Sequence, residues 1–281
     1  MADQSPKTTV IAFPFDLFGN AGTGAGAERL ADFVSELLAD NRAETRRTRC
    51  DSYRGLVKVK EVPFATPKAV QTWRSVGRQA VRHALRAGER VVWLGGNHLS
   101  VLPVYEELGA DGGAGHTVVL QFDAHLDVYQ LHDVTPNLAN GNFLLHADET
   151  LPPIVNVGHR DLFLTSGEIR GRFAAAYSSL DVAADPDRVV KEVRKRAEAA
   201  RRVWVDIDAD VFDPADVPAV HHPLPFGPPP LHLLRLLAAA FEGNVVGLSI
   251  SEFDPSRDRR DAGLSLLGWL IEWVLLRWYE G

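Results

Sequence analysis

The stretch Val118-Val119-Leu120-Gln121-Phe122-Asp123-Ala124-His125-Leu126-Asp127 passes from a strand-length apolar run into two acids and a histidine, with no turn residue between. Continuous Val/Leu/Ile runs suit strands buried on both faces, as in a parallel sheet. The same change occurs three more times. Residues 91–94 lead into Gly95-Gly96-Asn97-His98. Residues 203–207 enclose and lead into Asp206-Ile207-Asp208-Ala209-Asp210-Val211-Phe212-Asp213-Pro214. Residues 245–250 end in Ser251-Glu252-Phe253-Asp254-Pro255. Further strand-like runs lie at 8–13 and 154–157, and helical periodicity at 27–40, 67–87, 185–201, 230–242 and 261–279. Alternating strand and helix predicts an α/β fold, with helices on both faces of a mostly parallel sheet. In such sheets the ligand crevice lies beyond the carboxyl ends of the strands. The four polar clusters all belong at that edge.

The rest of the chain bounds the reading. Its 281 residues are 46% hydrophobic and 24% charged, which is globular composition. No repeat, low-complexity tract or Ser/Gly linker divides it, so one domain, 1–281, is expected. The net charge of −7 argues against a nucleic-acid surface. The basic run within 191–202 has helical spacing and reads as a solvated face. The opening residues lack an apolar, basic-flanked segment, so no signal peptide is expected. The apolar stretch 264–278 contains Glu272 and Arg277 and is too short to span a bilayer. The only cysteine, Cys50, excludes an intramolecular disulfide and a thiolate zinc cluster, and a reducing cytoplasm is the simplest location.

Residues two apart in an extended chain face the same way, so Asp123, His125 and Asp127 can converge, as can Asp206, Asp208 and Asp210. Carboxylates gathered in a dry crevice repel and need a positive charge to offset them. No lysine is near in sequence; divalent cations would serve. An oxygen-rich set with two imidazoles suits Mn2+ better than zinc. Several carboxylates able to bridge point to two ions sharing a hydroxide. Taken singly, the motifs have plain structural readings: Gly95-Gly96 as a tight turn, Asp213-Pro214 and Asp254-Pro255 as turn signals. Their coincidence after four predicted strands favours a site.

These segments resemble the ureohydrolase family of arginase, agmatinase and formimidoylglutamase. That family carries Gly-Gly-Asp-His, Asp-Ala-His-x-Asp, Asp-x-Asp-x-x-Asp-Pro and a late Glu before x-Asn-Pro, in this order. The N-terminal Ala12-Phe13-Pro14-Phe15-Asp16 and Gly24-Ala25-Gly26-Ala27 also resemble the family's opening strand and Gly-rich loop. The resemblance implies the three-layer α/β/α arginase-type fold and two Mn2+ per chain. One ion would be held by His98, Asp123, Asp127 and Asp208. The other would be held by Asp123, His125, Asp208 and Asp210, with Asp123 and Asp208 bridging. It implies attack of the metal-bridging hydroxide on a guanidino or amidino carbon, releasing urea or a formamide-type product plus an amine. Asp210 would stabilise the tetrahedral intermediate and Glu252 would pair with the substrate cation. Relatives are commonly trimers or hexamers, so a homo-oligomer is expected, and the stripe Trp269, Trp273, Trp278 either completes the core or covers a subunit contact.

The chain also departs from that pattern. Asn97 stands where the family has Asp, which predicts weaker binding of the first ion. Asn140 stands where arginases and agmatinases have a proton-transferring His, and an amide cannot carry a proton at neutral pH. Water or another histidine would replace it: His132, His146, His221 or His222, with the His221-His222 pair favoured. Tyr129, Pro136 and Phe163 occupy the places that in arginase read the substrate's amino-acid end, and with Phe143 they disfavour arginine and suggest a more apolar tail. Asn140 is also expected to line the substrate site. Arg160 reads as structural, paired with Asp161. The competing readings are a ligand-binding protein on this fold that has lost catalysis and, ranked last, an amide deacetylase with a single zinc.

Overall fold

The computed structural model describes residues 7–43, 45–110, 116–130, 137–160 and 162–280. His132, Pro136 and Asp161 lie outside them. Eight strands form one sheet: β1 (Thr8–Phe13), β2 (Val57–Glu61), β3 (Arg90–Gly95), β4 (Thr117–Phe122), β5 (Ile154–His159), β6 (Ala175–Ser178), β7 (Arg202–Asp208) and β8 (Val245–Ser251). The order is β2-β1-β3-β8-β7-β4-β5-β6, and every pairing is parallel.

The helices are α1 (Gly24–Ala43), α2 (Pro67–Gln71), α3 (Trp73–Arg86), α4 (Leu102–Ala110), α5 (Ser166–Arg172), α6 (Ser179–Ala184), α7 (Pro186–Ala199), α8 (Pro230–Ala240) and α9 (Ala262–Tyr279). Alternate residues of each strand feed two separate cores. Val10, Val92, Leu120 and Val205 pack with α1 and α6–α9, while Ile11, Trp93, Val119 and Trp204 pack with α3, α4 and α5. This is the three-layer arrangement, with both sheet faces covered as an all-parallel sheet requires. Among the described residues no helix is long and apolar enough to cross a membrane.

All six strands expected from the sequence are present. The two additional strands, β2 and β6, are the sheet's edges. The segment expected as one helix over 67–87 is broken at Thr72, which closes α2 and opens α3. Helix α4 was not expected. Its first eight residues are all buried, Glu106 and Glu107 among them, so its apolar positions trace no single stripe.

These two glutamates meet arginines from α3. Arg74 grips Glu106 with Nε at 2.8 Å and Nη2 on the second oxygen, and it also donates to the His146 carbonyl at 2.7 Å. The 3₁₀ turn Asn140–His146 is thereby tied to the helical layer beneath the site. Arg74→Ala would strand Glu106 in the interior. We expect a loss of about 3 kcal/mol or more in a denaturant melt. Arg74→Lys should recover only part, because an ammonium cannot make the two-pronged contact.

Candidate active site

Strands β3, β8, β7 and β4 are the four central neighbours, and their carboxyl ends carry the four polar clusters. After β3 the chain turns at Gly96, where any Cβ would collide with the Phe15 backbone, and His98 opens a 3₁₀ turn. After β8 comes Glu252, held at φ 64; after β4 comes Asp127, at φ 52. Two site residues thus occupy a left-handed conformation that non-glycine residues adopt sparingly, with the surrounding structure holding them there.

Convergence does not come from strand alternation alone. Strand β7 ends at Asp208, whose Oδ1 accepts the Asp210 amide at 2.9 Å, so a tight turn brings Asp210 back into the cluster. Past β4, Asp123 Oδ1 accepts the His125 amide at 2.6 Å, and the turn at Asp127 redirects that carboxylate inward.

The result is a closely packed polar centre. His98 Nδ1 lies 2.8 Å from Asp127 Oδ2 and 3.2 Å from both Asp123 Oδ2 and Asp208 Oδ2. His125 Nδ1 lies 2.9 Å from Asp210 Oδ2 and 3.9 Å from Asp123 Oδ1. Asp123, Asp127, Asp206, Asp208, Asp210 and Glu252 are each at most 4% exposed. Burial and the charge of Asp127 push the Asp123 carboxyl up to about 7. Burial and the neighbouring Asp210 raise Asp208 as well. Burial pushes Glu252 to about 7. Asp210 moves the other way: the His125 imidazolium and its hydrogen bond hold it down against the effect of burial. For His125, burial works downward, but Asp210 and Asp123 together carry it to about 10. The cluster therefore retains protons unless cations replace them.

Two groups of donor atoms fit that need: His98, Asp123 and Asp127, and Asp123, His125 and Asp210, each with its ligand atoms within 4.8 Å of one another. Asp123 belongs to both, and Asp208 reaches the first through the contact with His98. Two buried atoms between them, His98 Nδ1 and Asp123 Oδ2, have no hydrogen-bond partner. Orphaned buried polar atoms of this kind call for an occupant. With donors confined to oxygen and imidazole nitrogen, a divalent cation fits.

Glu252 stands beside this centre. Its Oε1 accepts the His98 amide and the Asn140 Nδ2, both at 2.8 Å, and its Oε2 accepts Asn20 Nδ2 at 2.6 Å. Asn140 Oδ1 accepts the Leu99 amide at 2.8 Å, so Asn140 braces Glu252 against the 3₁₀ turn and carries no mobile proton. Asn20 Oδ1 lies 2.9 Å from His222 Nε2, placing His222 two hydrogen bonds from Glu252. His221 is instead paired with Asp254 at 3.0 Å. His146 has no hydrogen bond to the cluster; its carbonyl is taken by Arg74.

Asn97 donates through Nδ2 to the Leu17 carbonyl at 3.0 Å, and its buried Oδ1 has no hydrogen-bond partner among the described residues. Phe143 is fully buried, edge-on to the His98 ring at 5.1 Å, so it packs the ligand and does not contact a substrate tail. Tyr129 and Phe163 meet edge to face at 5.9 Å, with Phe163 79% exposed. Arg160 donates to the carbonyls of Gly158, Asp210, Val211, Phe212 and Leu224, fixing the turn that carries Asp210. Trp278 is buried with its indole N–H on the Val245 carbonyl, whereas Trp269 is 51% exposed, so the expected stripe divides.

The residues that sequence reading did not single out are Asn20, Tyr105 and Asp206 in its actual role. Nothing local marks Asn20. The Asp206-x-Asp208 alternation did place Asp206 on the correct face, one pleat deeper.

A model for the arginase family matches residues 6–275. The chain is 29% identical over 207 residues to N(1)-aminopropylagmatine ureohydrolase of Thermus thermophilus, covering 72% of this chain and 67% of that one. It is 30% identical over 186 residues to a mitochondrial arginase of Medicago truncatula, covering 63% of this chain and 52% of the arginase. A hypothetical agmatinase from Burkholderia thailandensis shares the fold with a TM-score of 0.79 at 18% identity, over 98% of this chain and 86% of that one.

Proposed function

The chain belongs to the arginase family, hydrolases of C–N bonds in linear amidines, and we propose that it is a manganese enzyme acting on a guanidino or amidino compound other than arginine. One observation carries the metal reading. A buried His98 Nδ1 without a hydrogen-bond partner faces three carboxylate oxygens. His98, Asp123, Asp127 and Asp208 would hold one ion, and Asp123, His125, Asp208 and Asp210 the other. Bound there, the ions would supply a water made acidic enough to attack near neutral pH.

The chain's own groups do the remainder. Glu252, fixed from three sides, offers an anion to the planar substrate cation. Asp210, braced by the Ala124 amide at 3.3 Å, sits where charge builds up on the attacked carbon's substituents. Burial, with the charge of His125, lowers the His222 pKa, so at neutral pH its imidazole is free to take up a proton and pass it on. It is the group we assign to protonating the departing amine in place of Asn140. The Tyr129–Phe163 pair presents an apolar wall to the substrate's tail. A cytoplasmic homo-oligomer, trimer or hexamer, completes this reading. Trp269 and Leu231, two of the exposed apolar side chains among the described residues, are available for a subunit contact.

The test is a urea-release screen with added Mn2+ over guanidino acids, agmatine-like amines and formimino compounds. We expect about two metals per chain, turnover of at least one guanidino compound, and little with arginine. A preparation holding a single zinc, or none of the metal it is offered, overturns the reading. His222→Ala should slow the best substrate by about 10²-fold or more. An unchanged rate removes His222 as the proton carrier.

A further inference from the structure

Asp206 is fully buried, and among the described residues no arginine or lysine pairs with it; its hydrogen-bond donors there are His98, Tyr105 and Ser249. Its Oδ2 lies 2.8 Å from His98 Nε2 and accepts the Tyr105 hydroxyl at 2.6 Å. Its Oδ1 accepts the Ser249 hydroxyl, whose oxygen takes the Trp204 indole N–H at 3.0 Å. Three elements thus clamp one carboxylate: β7 carries it, α4 brings Tyr105, and β8 brings Ser249. A neutral imidazole has one N–H, and a carboxylate has none to offer. Asp206 can only accept, so it holds a proton on Nε2, and once a cation occupies the carboxylate side of the ring Nδ1 would be bare and aimed at Asp123, Asp127 and Asp208. That tautomer is the one a metal ligand needs, and a carboxylate behind the ring makes the ligating nitrogen a stronger donor.

The second imidazole has no such support. His125 is one-fifth exposed at its side chain, and among the described residues no carboxylate lies behind its ring; its ion-pair partners, Asp123 and Asp210, are the other members of the donor group. Among the described residues Asn97 makes no hydrogen bond to the His98 ring; its Nδ2 goes to the Leu17 carbonyl. We infer that Asp206 is a positioning residue, which fixes the tautomer of His98 and makes the His98 side the tighter of the two metal positions. The ion there would enter first and leave last, reversing the order expected from Asn97 alone. This inference rests on the proposed two-metal site.

Titration of the metal-free protein with Mn2+, followed by calorimetry and by electron paramagnetic resonance, tests it. The wild type should bind in two steps of unequal affinity. Asp206→Asn should weaken the tighter step by about 10- to 100-fold and leave the weaker one unchanged. The metal-free melting temperature should move little, since the amide fills the same space. Equal affinities in Asp206→Asn and wild type, or a change confined to the weaker step, overturn the role of Asp206 while leaving the metal site intact. A wild type that binds no Mn2+ overturns both. Should Asp206→Asn fail to fold, ¹⁵N-imidazole spectra of the zinc-loaded wild type give the answer directly. Metal on His98 Nδ1 with the proton on Nε2 supports the inference, and the reverse assignment refutes it.

Discussion

Asp123→Ala is expected to lose both metal ions and reduce hydrolysis by at least about 10⁴-fold, the scale seen when one member of a group that acts as a unit is removed. Asp123 is the carboxylate common to both donor groups, and its Oδ2 has no hydrogen-bond partner among the described residues. Asp127 reaches only the first group and Asp210 only the second, and Asp208, the other carboxylate assigned to both ions, would be left to hold them alone. Metal analysis and urea release would check the two losses together. The companion variant Asp123→Asn separates charge from shape. It keeps an oxygen for the His125 amide, so the fold should tolerate it.

The two proteins should also differ in how stability responds to pH. In the metal-free wild type, Asp123 and Glu252 both titrate near 7, above their unfolded values. A carboxyl raised on folding binds more protons folded than unfolded, so its contribution is present in acid and lost as pH rises from about 4 to about 7. His125, raised to about 10, acts in the same direction at higher pH. Metal-free protein should therefore melt at falling temperature as pH increases. Added Mn2+ should raise the melt most at high pH, where it competes with fewest protons. Asp123→Asn removes one source of that slope, so without metal it should be at least as stable as wild type at pH 8 and gain little from Mn2+. A strong Mn2+ response in Asp123→Asn would mean that the ions are held elsewhere.

The sheet's centre was legible because buried parallel strands have one reading: four apolar runs, each ending in acids or histidine. Its edges were not. Val57-Lys58-Val59-Lys60-Glu61 alternates with charge because one face of β2 meets solvent. Ala175–Ser178 is too short and too mixed to announce a strand. Helix α4 hid for the opposite reason, since burial all round erases periodicity. In the site, the resemblance indicated which acids to gather, but their convergence depends on turns at Asp127 and Asp208 that alternation cannot predict. Arg160 read as structural, paired with Asp161, which lies outside the described residues; among the described ones its guanidinium engages a carbonyl two residues behind it and four more that lie 50 to 64 residues away. Such contacts depend on tertiary path and leave no local trace. The same holds for Asn20, whose amide crosses 232 positions to reach Glu252.

Glu252→Gln is expected to lower kcat/KM by about 10²- to 10³-fold, the cost of deleting one preorganised electrostatic contact at a reacting centre, while leaving metal content unchanged. Glutamine matches the shape but differs in two ways. It has no charge to set against a substrate cation, and its amide can accept at only one of the two positions now filled. If Oε1 continues to receive the His98 amide and Asn140, the new Nε2 faces Asn20 Nδ2, donor against donor. Asn20 would then rotate to present its oxygen, and that oxygen is the one now bound to His222. One substitution thus removes the cation's partner and cuts the link to the proposed proton carrier. The pH profile distinguishes these from a general loss of structure. In wild type, kcat/KM should fall on the acid side as Glu252 takes up its proton, a step that lies near 7 in the metal-free protein and lower once cations neutralise its neighbours. That limb should flatten in Glu252→Gln, since a glutamine has no proton to gain. If the variant instead loses its metal, Glu252 is a ligand rather than a substrate anchor, and the cation it pairs with is the ion itself.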